Sequence, residues 1–279
     1  MNVNKNFKEL KELSKEQLLG NYGVLAGASF LVLTIFYALF LLIYFVTIGA
    51  SIASPFSIST DTNLGSLSIS ILFFVLYLIV NAIMSVMITG VLRMTLEISR
   101  GNAVKIKDMF FCFSHHPDKV LIIFFLSFFL SFIFSLPSMV LQYYYTWTTP
   151  SANILTSDIA ILYLVLYVAG LIAQIIVSLN LAFSYFVYLD HPEFAPIECL
   201  KESCHLMTGH KIRFLLFELS FIGWFFLLFL SCGMAVFWFL PYFYISAANF
   251  YRDVINDHAT KIDITIDDHT PGDHTTIYA

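Results

Sequence analysis

Charged residues are scarce in this sequence, and their scarcity excludes most classes of soluble protein. Only 12% of the 279 residues are charged and 59% are hydrophobic, whereas soluble domains average roughly 25% charged and 45–50% apolar residues. The net charge of −5 at pH 7 provides no basic surface for nucleic acid. We therefore expect a chain adapted to lipid, with no nucleic-acid partner.

The sequence also lacks the short motifs that accompany common catalytic and cofactor chemistry. It contains no Gly-rich phosphate loop, no nucleophile elbow and no H-E-x-x-H motif. His205 and His210 lie near Cys199 and Cys204, but their spacing does not match that of a zinc knuckle. We expect no metal, no cofactor and no enzymatic activity.

Long apolar runs occupy most of the chain instead. A helix that crosses a membrane needs about 20 mainly apolar residues, and the runs predict an all-α polytopic membrane protein with six transmembrane helices in three hairpins. The predicted spans are 22–48, 67–92, 120–141, 159–189, 212–231 and 234–250. Residues 1–255 would form a single membrane domain, and the acidic residues 256–279 a disordered tail.

The basic residues predict the orientation of these spans. All fourteen Lys and Arg fall in the N-terminal segment, the second–third and fourth–fifth connections and the C-terminal tail. The alternate connections, Gly49–Ser66 and Gln142–Asp158, contain none. Because Lys and Arg are enriched in cytoplasmic loops, both termini are predicted to be cytoplasmic.

A short amphipathic helix is predicted before each odd-numbered span. Such helices commonly lie in the membrane interface with their apolar side towards lipid. The pattern indicates three units, which are either true repeats or the result of a requirement that any short connector be amphipathic. The apolar stripes are Phe7, Leu10, Leu13 and Leu18; Ile106, Met109, Phe110 and Phe113; and Ile197, Leu200, Cys204 and Met207.

Glu218 is the one acidic residue inside a predicted span. An ionisable group within a membrane segment is a functional-site hypothesis by default. Two interpretations stand side by side. Glu218 either pairs with Arg213 or Lys211 near the cytoplasmic edge, or serves transport or proton relay.

Amide side chains are the other polar groups in the spans. Asn81 and Gln174 lie near the middle of spans two and four, and Asn180 lies closer to the cytoplasmic side. Amides join membrane helices by hydrogen bonds, so these residues indicate either helix adhesion or part of a polar pathway with Glu218. Gly23 and Gly27, four residues apart, would permit close helix approach.

A set of linked motifs resembles the bacterial integral-membrane family named domain of unknown function 975. The resemblance extends to Tyr251, with the middle spans matching only in hydropathy and the acidic tail outside the pattern. It implies a bacterial cytoplasmic membrane protein with no established activity, so no catalytic residue is carried over. The motifs are Glu9–Lys11, Leu18–Tyr22, Asp190–Pro192, Glu198–Ser203, Met207–Lys211, Leu219–Trp224, Pro241–Tyr242 and Ala248–Tyr251.

Three functional hypotheses follow from these observations. The first is a non-enzymatic membrane protein whose cytoplasmic amphipathic helices and acidic tail engage membrane lipids or a protein partner. The second is a small transporter or channel subunit that uses the intramembrane polar residues. The third is an intramembrane enzyme.

Overall fold

The computed structural model describes residues 5–53, 62–148 and 159–269, and within these ranges it contains helices and no β-strand. One 3₁₀ helix, Ile106–Phe110, precedes α4. The α-helices of the described residues are α1 (Phe7–Leu18), α2 (Tyr22–Ala53), α3 (Thr62–Ser99), α4 (Phe111–Ser114), α5 (Pro117–Thr148), α6 (Ala160–Leu181), α7 (Ser184–Asp190), α8 (Pro196–Leu206), α9 (Lys211–Leu219), α10 (Ile222–Leu230) and α11 (Val236–His269).

Five helical segments are long and apolar enough to cross a membrane, and they correspond to the first five predicted spans. These long apolar helices indicate a multi-pass membrane protein. The segments are Tyr22–Val46, Ile71–Ser99, Pro117–Tyr145, Ala160–Asp190 and Lys211–Leu230.

The sixth predicted span is not among these segments. It forms the first half of α11, whose apolar part ends at Arg252 and Asp253. This part packs antiparallel to α9 and α10, since Phe250 contacts Phe217 near one end of the pair. The predicted boundary between membrane domain and tail at residue 255 falls inside α11, which continues to His269. Residues 270–279 lie outside the described residues.

The second and third hairpins each contain one span that is broken. Span four breaks between α6 and α7, where the Ser203 hydroxyl accepts a hydrogen bond from the Phe183 amide and donates to the Asn180 carbonyl. Span five breaks between α9 and α10, where the Lys11 ammonium donates to the Ser220 carbonyl at 2.9 Å. Irregular backbone at membrane depth is tolerated when protein groups satisfy it, and α8 and α1 supply those groups.

Each of the amphipathic helices α1 and α8 therefore buries one side against other helices of the protein. In α1 the buried residues are Leu10, Ser14 and Leu18, and the helix lies against α11 and α3. In α8 the buried residues are Cys199, Ser203 and Leu206, which differ from the predicted stripe. Ile197, the first residue of that stripe, is 55% exposed.

The middle amphipathic segment has a different form from the one predicted. A 3₁₀ helix and a single turn of α-helix replace one continuous helix at 106–113. Met109 and Cys112 are fully buried, whereas Phe110 and Phe113 are exposed and their rings lie 6.2 Å apart. The segment thus presents apolar side chains both to the protein and to its surroundings.

Helix α3 lies at the centre of the bundle. A third of its most apolar stretch is buried, against 6% for the fourth span. At Gly90 the 3₁₀ helix approaches so closely that an added Cβ would lie 1.8 Å from the Met109 carbonyl oxygen. At Gly170 a Cβ would lie 2.9 Å from the Phe134 carbonyl oxygen, which marks the close approach of α6 to α5. Gly23 has no such neighbour.

Candidate functional site

A cavity of about 240 Å³ lies between α3, α6, α9 and α11, and Glu218 is part of its wall. Helix α9 ends one residue beyond Glu218, so this carboxylate lies beside the break in span five. Ser178 and Tyr244 contribute hydroxyl groups to the same wall. We call this space the Glu218 cavity. Its aromatic wall residues are Phe183, Phe186, Phe214, Phe243 and Tyr244.

Arg213, one of the two cation partners predicted for Glu218, is directed elsewhere. Arg213 precedes Glu218 by five residues, so the two side chains project about 140° apart around α9. The Arg213 guanidinium contacts the Asp253 carboxylate at 2.5 Å and donates to the Lys5 carbonyl at 2.8 Å. Within the described residues, neither Arg213 nor Lys211 forms an ion pair with Glu218. The helical period therefore separates Glu218 from Arg213, and Asp253 is the carboxylate that Arg213 contacts.

A second cavity, of about 250 Å³, lies between α2, α3 and α11, and it contains Asn81. We call it the Asn81 cavity. The Asn81 amide donates to the Tyr77 carbonyl of its own helix at 2.8 Å. The Ser29 hydroxyl, also in the wall, is buried and has no hydrogen-bond partner among the described residues. Tyr244 contributes to both cavities, so α11 separates Asn81 from Glu218.

The two amides of span four take other positions. The Asn180 amide donates to the Ile176 carbonyl at 2.6 Å, within α6. Gln174 is half-buried on α6 and is part of neither cavity wall. The predicted polar set is thus divided between two cavities and the body of α6.

Sequence reasoning did not find the aromatic wall of the Glu218 cavity or the shared position of Tyr244. The chain contains 30 Phe and 15 Tyr, so an aromatic residue at any one position carries little information. The tertiary arrangement alone selects the few that surround the carboxylate.

The charged ends of α3 and α7 meet α11 in a separate polar network. Asp190 accepts hydrogen bonds from the Arg100 guanidinium at 2.5 Å and from the Tyr251 hydroxyl at 3.1 Å. Burial, followed by the Asp190 carboxylate, raises the pKa of Tyr251 well above its usual value. The Tyr251 hydroxyl therefore remains a donor at all physiological pH values.

Helix α1 joins the same network. The Asn249 amide donates to the Ser14 hydroxyl at 3.0 Å and to the Gln17 side-chain oxygen at 2.7 Å. The Ser99 carbonyl accepts hydrogen bonds from both Gln17 and Arg252. Three residues of the linked motifs take part in these contacts: Asn249 connects α11 to α1, and Asp190 and Tyr251 connect α7 to α11. These contacts assign them a structural role.

Acidic residues on both sides of the predicted tail boundary at residue 255 are engaged inside the protein. Asp253 contacts Arg213, and Asp257 lies 3.2 Å from the buried His210 ring. The His258 ring lies 5.4 Å from that of His205 and 5.5 Å from that of His210. Even so, the described part of the chain has no group of three or more His, Cys, Asp or Glu placed to hold a metal ion.

Five long apolar helices indicate a multi-pass helical membrane protein. Two partly open cavities between its helices contain the polar side chains of Asn81 and Glu218. The chain belongs to the family described as "Protein of unknown function (DUF975)", whose sequence profile matches residues 1–258. Neither the curated proteins nor the solved structures provide a significant match. The description of this family assigns no molecular activity, so no catalytic residue can be transferred from it to this chain.

Proposed function

We propose that this chain is a non-enzymatic protein of the bacterial cytoplasmic membrane that engages anionic lipid headgroups on the cytoplasmic side. The observation that carries the proposal is the surface formed by the 3₁₀ helix and α4. Ile106, Phe110 and Phe113 are each more than 40% exposed there, and Lys105 and Lys107 are exposed beside them. Apolar side chains flanked by lysines are typical of segments that insert shallowly among anionic headgroups.

The surface is held in place by contacts with the interior. Met109 and Cys112 are fully buried on the opposite side of the segment, and the Arg93 guanidinium lies 3.3 Å from the centre of the Phe111 ring. A rigid segment keeps its exposed apolar side chains exposed, and these can be covered only by lipid or a partner. We favour lipid because the neighbouring lysines match an anionic headgroup.

The lipid proposal is tested by exchanging Lys105 and Lys107 for Gln together. Each Lys near an anionic surface contributes about 1 kcal/mol, so the pair should lower the preference for phosphatidylglycerol over phosphatidylcholine about 30-fold. Native mass spectrometry of protein released from mixed-lipid nanodiscs measures the retained lipid. Exchange of the exposed Lys8 and Lys15 of α1 is the charge-matched control. An equal loss of the preference for phosphatidylglycerol in both double variants, or no loss in either, would contradict the proposal.

The proposed topology has six spans, with the α10–α11 turn outside and both termini in the cytoplasm. It is supported by the one-sided distribution of Lys and Arg and by the antiparallel packing of α11 on α9 and α10. Cys232 is exposed in that turn, so a membrane-impermeant maleimide should label it on intact cells, and Cys232→Ser should abolish the labelling. In that background, Asn256→Cys, at an exposed position, should react only after permeabilisation. Labelling of this introduced thiol on intact cells would exclude a sixth crossing.

A second candidate function, that of a small transporter or channel subunit, is favoured by the two cavities on either side of Tyr244. Polar groups inside a bundle mark solute pathways in many membrane proteins. Flux of protons and small cations into proteoliposomes, compared between the unaltered protein and Glu218→Gln, tests it. Flux that is absent, or independent of Glu218, excludes this function for the site.

A further inference from the structure

We infer that the Glu218 cavity is a binding site for a small organic cation, such as a quaternary ammonium or a protonated amine. This inference is independent of the headgroup surface, since the cavity lies between α3, α6, α9 and α11 and the surface lies on the 3₁₀ helix and α4. It assigns a ligand class to a site that the family leaves without one.

The first step concerns the unbalanced carboxylate. Among the described residues that form the wall, Glu218 is the one ionisable carboxyl group and no side chain is basic. The nearest cation along the helix, Arg213, is committed to Asp253. A carboxylate in an apolar surrounding is costly unless a positive charge accompanies it, and the cavity wall supplies none. The Lys11 ammonium at the same break is not part of the wall and donates to the Ser220 carbonyl. A ligand cation would meet that requirement.

The second step concerns the aromatic wall. Five of the wall residues are Phe or Tyr, and the rings of Phe183 and Phe214 meet edge to face at 5.3 Å. Aromatic rings attract cations through their faces, and cages of such rings recognise quaternary ammonium groups. A neutral apolar ligand would gain from the rings alone, whereas a cation would gain from both the rings and Glu218. The combination of charge and rings therefore selects an organic cation.

The third step concerns size and depth. A volume of about 240 Å³ falls just below the range of roughly 300–1,000 Å³ typical of sites for drug-sized ligands, so the ligand has few heavy atoms. Glu218 lies seven residues beyond Lys211, which is about 10 Å along the helix. At this depth the ligand must tolerate an apolar path, which favours an amphipathic cation over a strongly hydrated metal ion.

Equilibrium dialysis of radiolabelled benzyltrimethylammonium against the full chain in nanodiscs tests the inference, with empty nanodiscs as background. We expect saturable binding to the unaltered protein. Neopentylbenzene, in which carbon replaces the charged nitrogen, is the neutral isostere and should displace the cation at least about tenfold less well than unlabelled cation does. No saturable binding, or equal displacement by the isostere, overturns the inference without need of a variant.

Three variants locate the site. Glu218→Gln should weaken binding of the cation about tenfold because it removes the charge and keeps the shape. Phe243→Leu should weaken it about threefold through the loss of one ring. Glu193→Gln changes an exposed carboxylate and should leave binding unchanged. Equal affinity of the Glu218 and Glu193 variants would show that the cation binds elsewhere, and would leave the headgroup proposal unaffected.

Discussion

Replacement of Gly90 by Ala is the sharpest test of the packing around α3. A Cβ on Gly90 would lie 1.8 Å from the Met109 carbonyl oxygen and 2.7 Å from the carbonyl carbon. Both atoms belong to backbone, so no side-chain rotation relieves the contact. The 3₁₀ helix would have to move by more than about 1 Å to reach the roughly 3.5 Å of an ordinary contact, and with it the fully buried side chain of Met109.

The magnitude follows from two opposing effects. Overpacking of a close-packed interior costs about 1–3 kcal/mol, and the rigid backbone contact places Gly90→Ala near the upper end. Ala is favoured over Gly in a helix by about 1 kcal/mol. We therefore expect a net loss of about 2 kcal/mol. Gly23→Ala is the matched control, because nothing lies within 4 Å of its Cβ, and it should gain up to about 1 kcal/mol.

The assay is thermal unfolding of the detergent-solubilised protein, together with maleimide labelling of Cys112. Cys112 is fully buried in α4, directly after the 3₁₀ helix, so displacement of that helix should speed its labelling. Cys204 and Cys232 are first replaced by Ser because they are the two less buried cysteines. If Gly90→Ala unfolds at the same temperature as Gly23→Ala, and Cys112 reacts no faster, the assigned contact is wrong.

Three further predictions concern the charged groups. Lys11→Met should lower the free energy of unfolding by about 1–2 kcal/mol through loss of the hydrogen bond at the α9–α10 break, whereas Lys11→Arg should retain most of that stability. Chemical denaturation measures both variants, and equal losses would contradict the role of Lys11 at the break. Asp253→Asn should cost about 3 kcal/mol in the same assay because it removes the carboxylate charge that contacts the Arg213 guanidinium in a largely buried site. Glu12→Gln, in a highly exposed pair, should cost less than about 1 kcal/mol; similar losses would refute the distinction. Burial raises the pKa of the Cys112 thiol from 9.0 to about 11, so the folded state retains a proton that the unfolded chain releases. Stability should therefore fall as the pH rises from 9.0 towards 11, and the pH dependence should be weaker in Cys112→Ala; an identical dependence would exclude this source.

The sequence was sufficient to predict the five helices that are long and apolar enough to cross a membrane, because apolar length is a local property of the chain. It did not predict the breaks at Ala182 and Ser220, since neither position has a proline or glycine to mark it. The breaks exist because Ser203 and Lys11, distant in sequence, satisfy the freed backbone groups.

The charge partners show the same division. Local spacing suggested Arg213 for Glu218, but the partner of Arg213 is Asp253, which lies 40 residues away. The Gly23 and Gly27 spacing suggested close helix approach, but among the described glycines the closest approach to another backbone segment is at Gly90. The spacing of residues along one helix predicts which of them share a side of that helix. It does not predict which other element packs against that side.

The sequence by itself thus determined that this chain forms long apolar helices, where five candidate membrane spans lie and how few charges those spans contain. Hydropathy and helical length decide these features residue by residue. Only the tertiary structure decided that α1 and α8 pack onto broken spans and that Glu218 lies among five aromatic rings without a basic neighbour in the cavity wall. Those features depend on contacts between distant segments, which arise when the helices pack and leave no periodic trace in any one of them.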